Sequence, residues 1–110
     1  MTNVLLAYIT CGSIEEAKKI GKHLLTKRLA GCINIIPEMS PMFFWPPKSG
    51  KINESHEVVL IAKTIEEKYE ELEKEVIKVH SFDTPCIIGI PVKHVNQAFY
   101  DWLMGELTLS

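Results

Sequence analysis

Residues 57–92 read "EVVLIAKTIEEKYEELEKEVIKVHSFDTPCIIGIPV", and the hydrophobic period changes twice within them. The aliphatic run from Val58 to Ala62 fits a buried strand. Then Ile65, Tyr69, Leu72, Val76 and Val79 step by four, three, four and three, the apolar stripe of one amphipathic helix. Thr64 and Glu67 have the spacing of a capping box that would open it. Beyond "HSFD", the stretch "TPCIIGIPV" is nearly all apolar, which predicts a strand that is central or covered on both faces. Strand, helix, strand is thus the unit on which the rest of the chain must close.

The N-terminal half repeats the alternation. "NVLLAYITC" is a short apolar run ended by Gly12, and "SIEEAKKIGKHLLTKRLAG" is a helix that Ser13 and Glu16 can box. Ile14, Ala17, Ile20, Leu24 and Leu25 fall on its apolar side, and Gly31 suits its C-terminus. "CINIIP" begins a second strand that resumes through "MFFW"; its prolines 37 and 41 mark it as an edge or bulged strand. "PPKSGK" is the turn, and "INESHEVVLIAKT" returns as a third strand with its polar first half outside the core. A last helix, "NQAFYDWLMGEL", is expected to turn Phe99, Trp102 and Leu103 inward behind an Asn96 cap.

The order β-α-β-β-α-β followed by a C-terminal helix predicts an α+β, ferredoxin-like sandwich. One antiparallel sheet would carry two helices on one face, with a long hairpin joining its second and third strands. At 110 residues the chain has material for one core, so 1–110 is read as a single domain. The uncovered face and the partly apolar hairpin need burial, and symmetric self-association supplies it most simply.

Composition narrows the function. A net charge of −2 gives no general attraction to nucleic acid, and no apolar run approaches the length of a membrane helix. "MTNVLLAYITC" lacks a basic leader segment and reads as a first strand; with three cysteines that form no CxxC pair, a cytoplasmic location is expected. No phosphate-binding glycine loop or nucleophile elbow occurs. The first-strand loop "TCGSIEEA" carries acids where acyl-phosphate chemistry would need cations, so no catalytic centre is read. Of the four histidines, His23 lies among lysines and is read as solvated. His56 and His94 lack a second ligand at metal spacing. His80 ends the second helix, where the helix dipole and free carbonyls favour an imidazole. His94 is some 14 residues on, roughly 45 Å if extended, too far to share an ion with it.

At "KRLAGCINIIP", "W…GKINESHEVVLIAKT" and "HSFDTPCIIGIPV…FYDWL" the chain resembles the CutA family, the divalent-cation tolerance proteins. The resemblance covers nearly the whole length. It implies the ferredoxin-like fold, a tight homotrimer whose long hairpins wrap neighbouring subunits, and an association with metal, chiefly copper, tolerance. It matches Arg28, Leu29 and Cys32, then Trp45, Gly50 and Lys51, then Glu57, Lys63 and Thr64, then His80, Thr84, Pro85, Tyr100 and Trp102. Glu57, Lys63, Trp45 and Phe82 become candidates for a ligand cleft between subunits. The copper ligands of some members correspond to Ile9, Val79 and His80 here, so His80 and the nearby Cys11 are the candidate metal residues. The second reading is a signalling or scaffolding trimer, similar in architecture to nitrogen-regulatory PII proteins, that contacts a partner through "FFWPPKSGK".

Overall fold

A computed structural model describes residues 2–109. Its elements are β1 (Val4–Cys11), α1 (Ile14–Thr26), β2 (Cys32–Met39), β3 (Met42–Phe44), β4 (Ile52–Glu54), β5 (Glu57–Ile65), α2 (Glu66–Val79), β6 (Ile87–Pro91) and α3 (Gln97–Leu107). Four strands form an antiparallel sheet in the order β2-β5-β1-β6, and β3 with β4 forms a separate two-stranded ribbon. This is the ferredoxin-like arrangement that the alternation of periods predicts.

Strand alternation sorts the two faces. Ala7, Ile9 and Cys11 of β1 and Val58, Leu60 and Ala62 of β5 meet Ala17, Ile20 and Leu24 of α1 and Leu72 and Val76 of α2. A second cluster, Val4, Ile65, Leu103 and Leu107, seats α3 at the end of the sheet. Tyr8 and Thr10 take the opposite side of β1 from Ile9.

Several local expectations change. Thr64 is not a cap: pairing with β1 continues through Val4↔Ile65, which keeps Thr64 inside the ladder. Its buried hydroxyl donates to the Leu29 carbonyl at 2.7 Å, and Ile65 takes the N-cap position without a side-chain bond. Asn3 does the capping work instead. Its carbonyl accepts from the Glu66 amide at 2.8 Å, and its side-chain amide donates to the Glu67 carboxylate.

The long second and third strands are each broken. β2 runs through Pro37, but its register with β5 shifts between Ile36 and Met39, and Glu38 lies at φ 62. That bulge, on an edge strand, is the outcome the prolines predict. β4 and β5 are separated at Ser55–His56, so the ribbon stands away from the main sheet.

β6 is an edge strand, paired only with β1, not a central one. Gly89 faces the helices, where an added Cβ would sit 3.0 Å from the Tyr69 ring. Ile88 and Ile90 project to the other face and stay 51% and 43% exposed. Trp102 likewise points outward while Leu103 and Leu107 are buried, because α3 meets the sheet along the Leu103–Leu107 line. Ile14 and Leu25 are partly exposed at the margins of their stripe.

Helix α1 ends at Thr26, five residues before Gly31, the glycine that the sequence offers as its stop. Arg28 takes the left-handed turn at φ 58, the Leu29 amide donates to Leu24 and the Arg28 amide to Leu25, a Schellman closure. A non-glycine residue in that conformation costs about 1 kcal/mol. The Arg28 guanidinium is held by Glu106 of α3 at 2.8 Å.

His23 is not a freely solvated histidine. It bonds the carboxylate of Glu75, a residue of α2 that is only 4% exposed, at 2.8 Å. Lys78 and Lys27 reach the same carboxylate at 2.8 and 3.2 Å. Bonds from Lys78, then His23 and Lys27, pull its pKa from 4.5 down to about 2. A carboxyl whose folded pKa is depressed adds stability above its unfolded pKa and loses it as pH falls through the folded value. Wild-type stability should therefore decline between about pH 5 and pH 2, and Glu75→Gln should flatten that acid limb. Parallel acid limbs in urea titrations of the two proteins would rule the contribution out.

Candidate ligand cleft and donor cluster

The ribbon leans away from the sheet and leaves a cleft of about 910 Å³ between them. Phe43 and Trp45 form the ribbon wall, Tyr8 and Thr10 the sheet floor, and Phe82 to Thr84 the far wall. Strand alternation turns Phe44 the other way, where it is 69% exposed. Glu57 enters from the start of β5, with the Ser55 hydroxyl donating to one carboxylate oxygen at 2.9 Å. Asn53 secures the ribbon tip by donating to the Trp45 carbonyl.

Three of the four cleft residues anticipated from the sequence, Glu57, Trp45 and Phe82, meet in this cleft. Lys63 does not: its ammonium lies over the Phe99 ring, 5.2 Å from the centroid, beside α3. Glu57 and Lys63 do share a strand face, but they lie six positions apart along β5. The sequence reading missed Tyr8, His56 and Asp83, since nothing in their local pattern distinguishes them from ordinary strand or loop residues.

Beside the cleft, the candidate metal residues Cys11 and His80 come together with Glu16, their donor atoms lying within 4.8 Å of one another. Glu16 was visible only as the second half of a capping box. Its carboxylate accepts from the Gly12 amide at 3.0 Å and the Ser81 amide at 2.9 Å, tying the β1–α1 loop to the α2–β6 loop. Burial would raise its pKa, but donation from the Ser81 hydroxyl and these two amides holds it below the usual carboxylate value. The His80 side chain is fully buried; Nε2 donates to the Thr10 carbonyl at 2.7 Å, and Nδ1 accepts from the Phe82 amide at 3.0 Å. Burial, with the Glu16 and Glu57 charges, pushes the Cys11 thiol up to about 12.

Thiol, imidazole and carboxylate are donors that suit copper or zinc. An ion here would have to displace the Phe82 amide from Nδ1 and the proton from Cys11. The set therefore fits a metal at the cost of one hydrogen bond and one proton, with uptake favoured by rising pH.

Comparison with known proteins follows the same lines. The model of the CutA1 divalent ion tolerance protein family matches residues 5–106. The chain belongs to the CutA1 family. The divalent-cation tolerance protein CutA of Archaeoglobus fulgidus is 47% identical over 96 residues, spanning 87% of this chain and 90% of that protein. Its namesake from Pyrococcus horikoshii is 38% identical over 103 residues, spanning 94% and 97%. A solved structure, described as the periplasmic divalent cation tolerance protein CutA from Archaeoglobus fulgidus, superposes with a TM-score of 0.89 at 41% identity, covering 94% of this chain and 98% of that one. The residues of both the ribbon and the donor cluster fall within the range that the CutA1 model matches. Among the described residues no helix is long and apolar enough to cross a membrane.

Proposed function

We propose that this CutA1 protein acts in divalent-cation tolerance as a cytoplasmic homotrimer. It takes up copper or another divalent ion, or a small ligand, where ribbon and sheet meet between subunits, and catalyses no reaction. The observation that carries this reading is the juxtaposition of an open, aromatic-walled cleft with the Cys11–Glu16–His80 cluster. Self-association is supported by the apolar groups left in water: Ile88 and Ile90 on the uncovered sheet face, and Met42, Phe44 and Ile52 on the ribbon. Surfaces of that kind on a soluble chain mark an interface. Free thiols at Cys11, Cys32 and Cys86 suit a reducing compartment, although the archaeal relative is described as periplasmic.

Calorimetric titration of copper(II), zinc(II) and copper(I), alongside light scattering, tests the reading. The expected particle contains three 12.5 kDa chains and binds one of these ions tightly and stoichiometrically. Cys11→Ser and Glu16→Gln should abolish that uptake. Weak copper(II) binding that survives both substitutions is what any histidine-bearing protein gives, and would remove the metal from the proposal.

A further inference from the structure

In the donor cluster, backbone amides occupy the lone pairs that an ion would need. Glu16 Oε1 accepts from the Gly12 amide at 3.0 Å, Oε2 from the Ser81 amide at 2.9 Å, and His80 Nδ1 from the Phe82 amide at 3.0 Å. The two kinds of acceptor differ in capacity. Each carboxylate oxygen has two lone pairs, so Glu16 is able to ligate an ion and keep both of its amides. Nδ1 of a neutral imidazole has a single lone pair, which either an N–H or a metal takes, never both. We propose that the Phe82 amide is a latch, released from His80 when an ion enters the cluster, so that metal occupancy is passed to the α2–β6 loop. This rests on the reading of Cys11, Glu16 and His80 as a metal site and adds how that site acts on its surroundings.

Geometry selects Nδ1 as the ligating nitrogen. It lies 3.9 Å from Glu16 Oε2, whereas Nε2 donates to the Thr10 carbonyl at 2.7 Å. A metal-binding imidazole is generally held by donation from its other nitrogen to a carbonyl or carboxylate. Here that support is in place before any ion arrives, so the ring stays and the peptide between Ser81 and Phe82 is what must turn. The turn needs no vacant cleft. The Phe82 ring packs against the His80 ring and beside Gly12, and the peptide rotates about its flanking bonds while the ring keeps its place by the ribbon and any neighbouring subunit. Cys11 gives up its thiol proton to water as the ion enters. With a divalent ion, thiolate and carboxylate then cancel its charge among buried groups, which leaves no unpaired charge to offset the gain. Residues 82–84 form the far wall of the cleft, so the released peptide lies at the base of that wall.

Residue-resolved hydrogen exchange on the full protein, first in EDTA and then with zinc(II) or copper(II) in turn, tests the latch beside calorimetry on the same samples. On loading, the Phe82 amide should exchange about tenfold faster, as loss of one hydrogen bond implies, while the Gly12 and Ser81 amides keep their protection. Phe82→Pro removes the N–H and should tighten metal uptake about tenfold, since no bond to Nδ1 then has to break. Phe82→Leu keeps the N–H and should leave the affinity unchanged. Metal uptake that Cys11→Ser abolishes, with Phe82 exchange unaltered by loading, would overturn the latch and leave the metal site standing. If neither ion shows uptake that depends on Cys11, latch and metal site fall together. The wild-type exchange decides the matter even where Phe82→Pro does not fold.

Discussion

Replacing His80 by alanine should lower the unfolding free energy by about 3 kcal/mol with no metal present. The imidazole is buried and both of its nitrogens are committed to backbone groups, one to the Thr10 carbonyl and the other to the Phe82 amide. Truncation leaves both groups without a partner and opens a void beside the Phe82 ring, which stands 4.7 Å from the imidazole centroid. Each lost bond to a buried group costs on the order of 1 kcal/mol, and the void adds to it. Denaturant unfolding in EDTA measures the change; an unaltered midpoint would show that His80 is not a structural tie. The consequence for function is direct. Loss of metal uptake in His80→Ala would mix local unfolding with loss of a ligand, whereas Cys11→Ser leaves the His80 bonds in place and reads the donor cluster alone.

The donor cluster also marks where sequence reading stops. Hydrophobic period alone yields the sandwich, because strands at period two and helices near 3.6 leave a single way to bury both stripes. It also finds the edge character of β2, since prolines have a local steric signature. What it misreads are positions settled by distant contacts. Thr64 and Glu67 satisfy the capping pattern, yet strand pairing with Val4 and Leu5 keeps Thr64 in β5 and hands the cap to Asn3. The apolar run of β6 looks doubly covered because Ile88 and Ile90 flank a glycine that faces the helices, and the protomer itself covers only one face. His23 looks solvated because its lysine neighbours are local, while Glu75 arrives from another helix. Glu57, Trp45 and Phe82 were named through family resemblance; Tyr8 and Asp83 enter the cleft only through the fold.

The second large effect is expected at the seat of α3. Gly31 looks like a helix terminator in the sequence, but Arg28 closes α1 and Gly31 instead admits Leu103. A Cβ added at Gly31 would lie 2.6 Å from Leu103 Cδ1, well inside contact distance, and Leu103 is fully buried with Val4, Ile65 and Leu107 around it. Leu103→Ala should cost about 3 kcal/mol by emptying that cluster. Gly31→Ala should cost about 1–2 kcal/mol by overpacking, since the Leu103 methyl would have to shift within a fully buried cluster. The double substitution is the sharper measurement. With Leu103 already cut back, the methyl at position 31 enters the space that truncation opened, so the pair should be about 1 kcal/mol less damaging than additivity requires. Strict additivity in urea unfolding would mean that Gly31 and Leu103 do not press on each other, and the glycine would then need another reason to be there. Coupling of the expected sign would establish that α3 is docked by close approach at Gly31. That docking holds the helix over Lys63, keeping the Lys63 ammonium at Phe99 and away from the acidic cleft at the other end of β5.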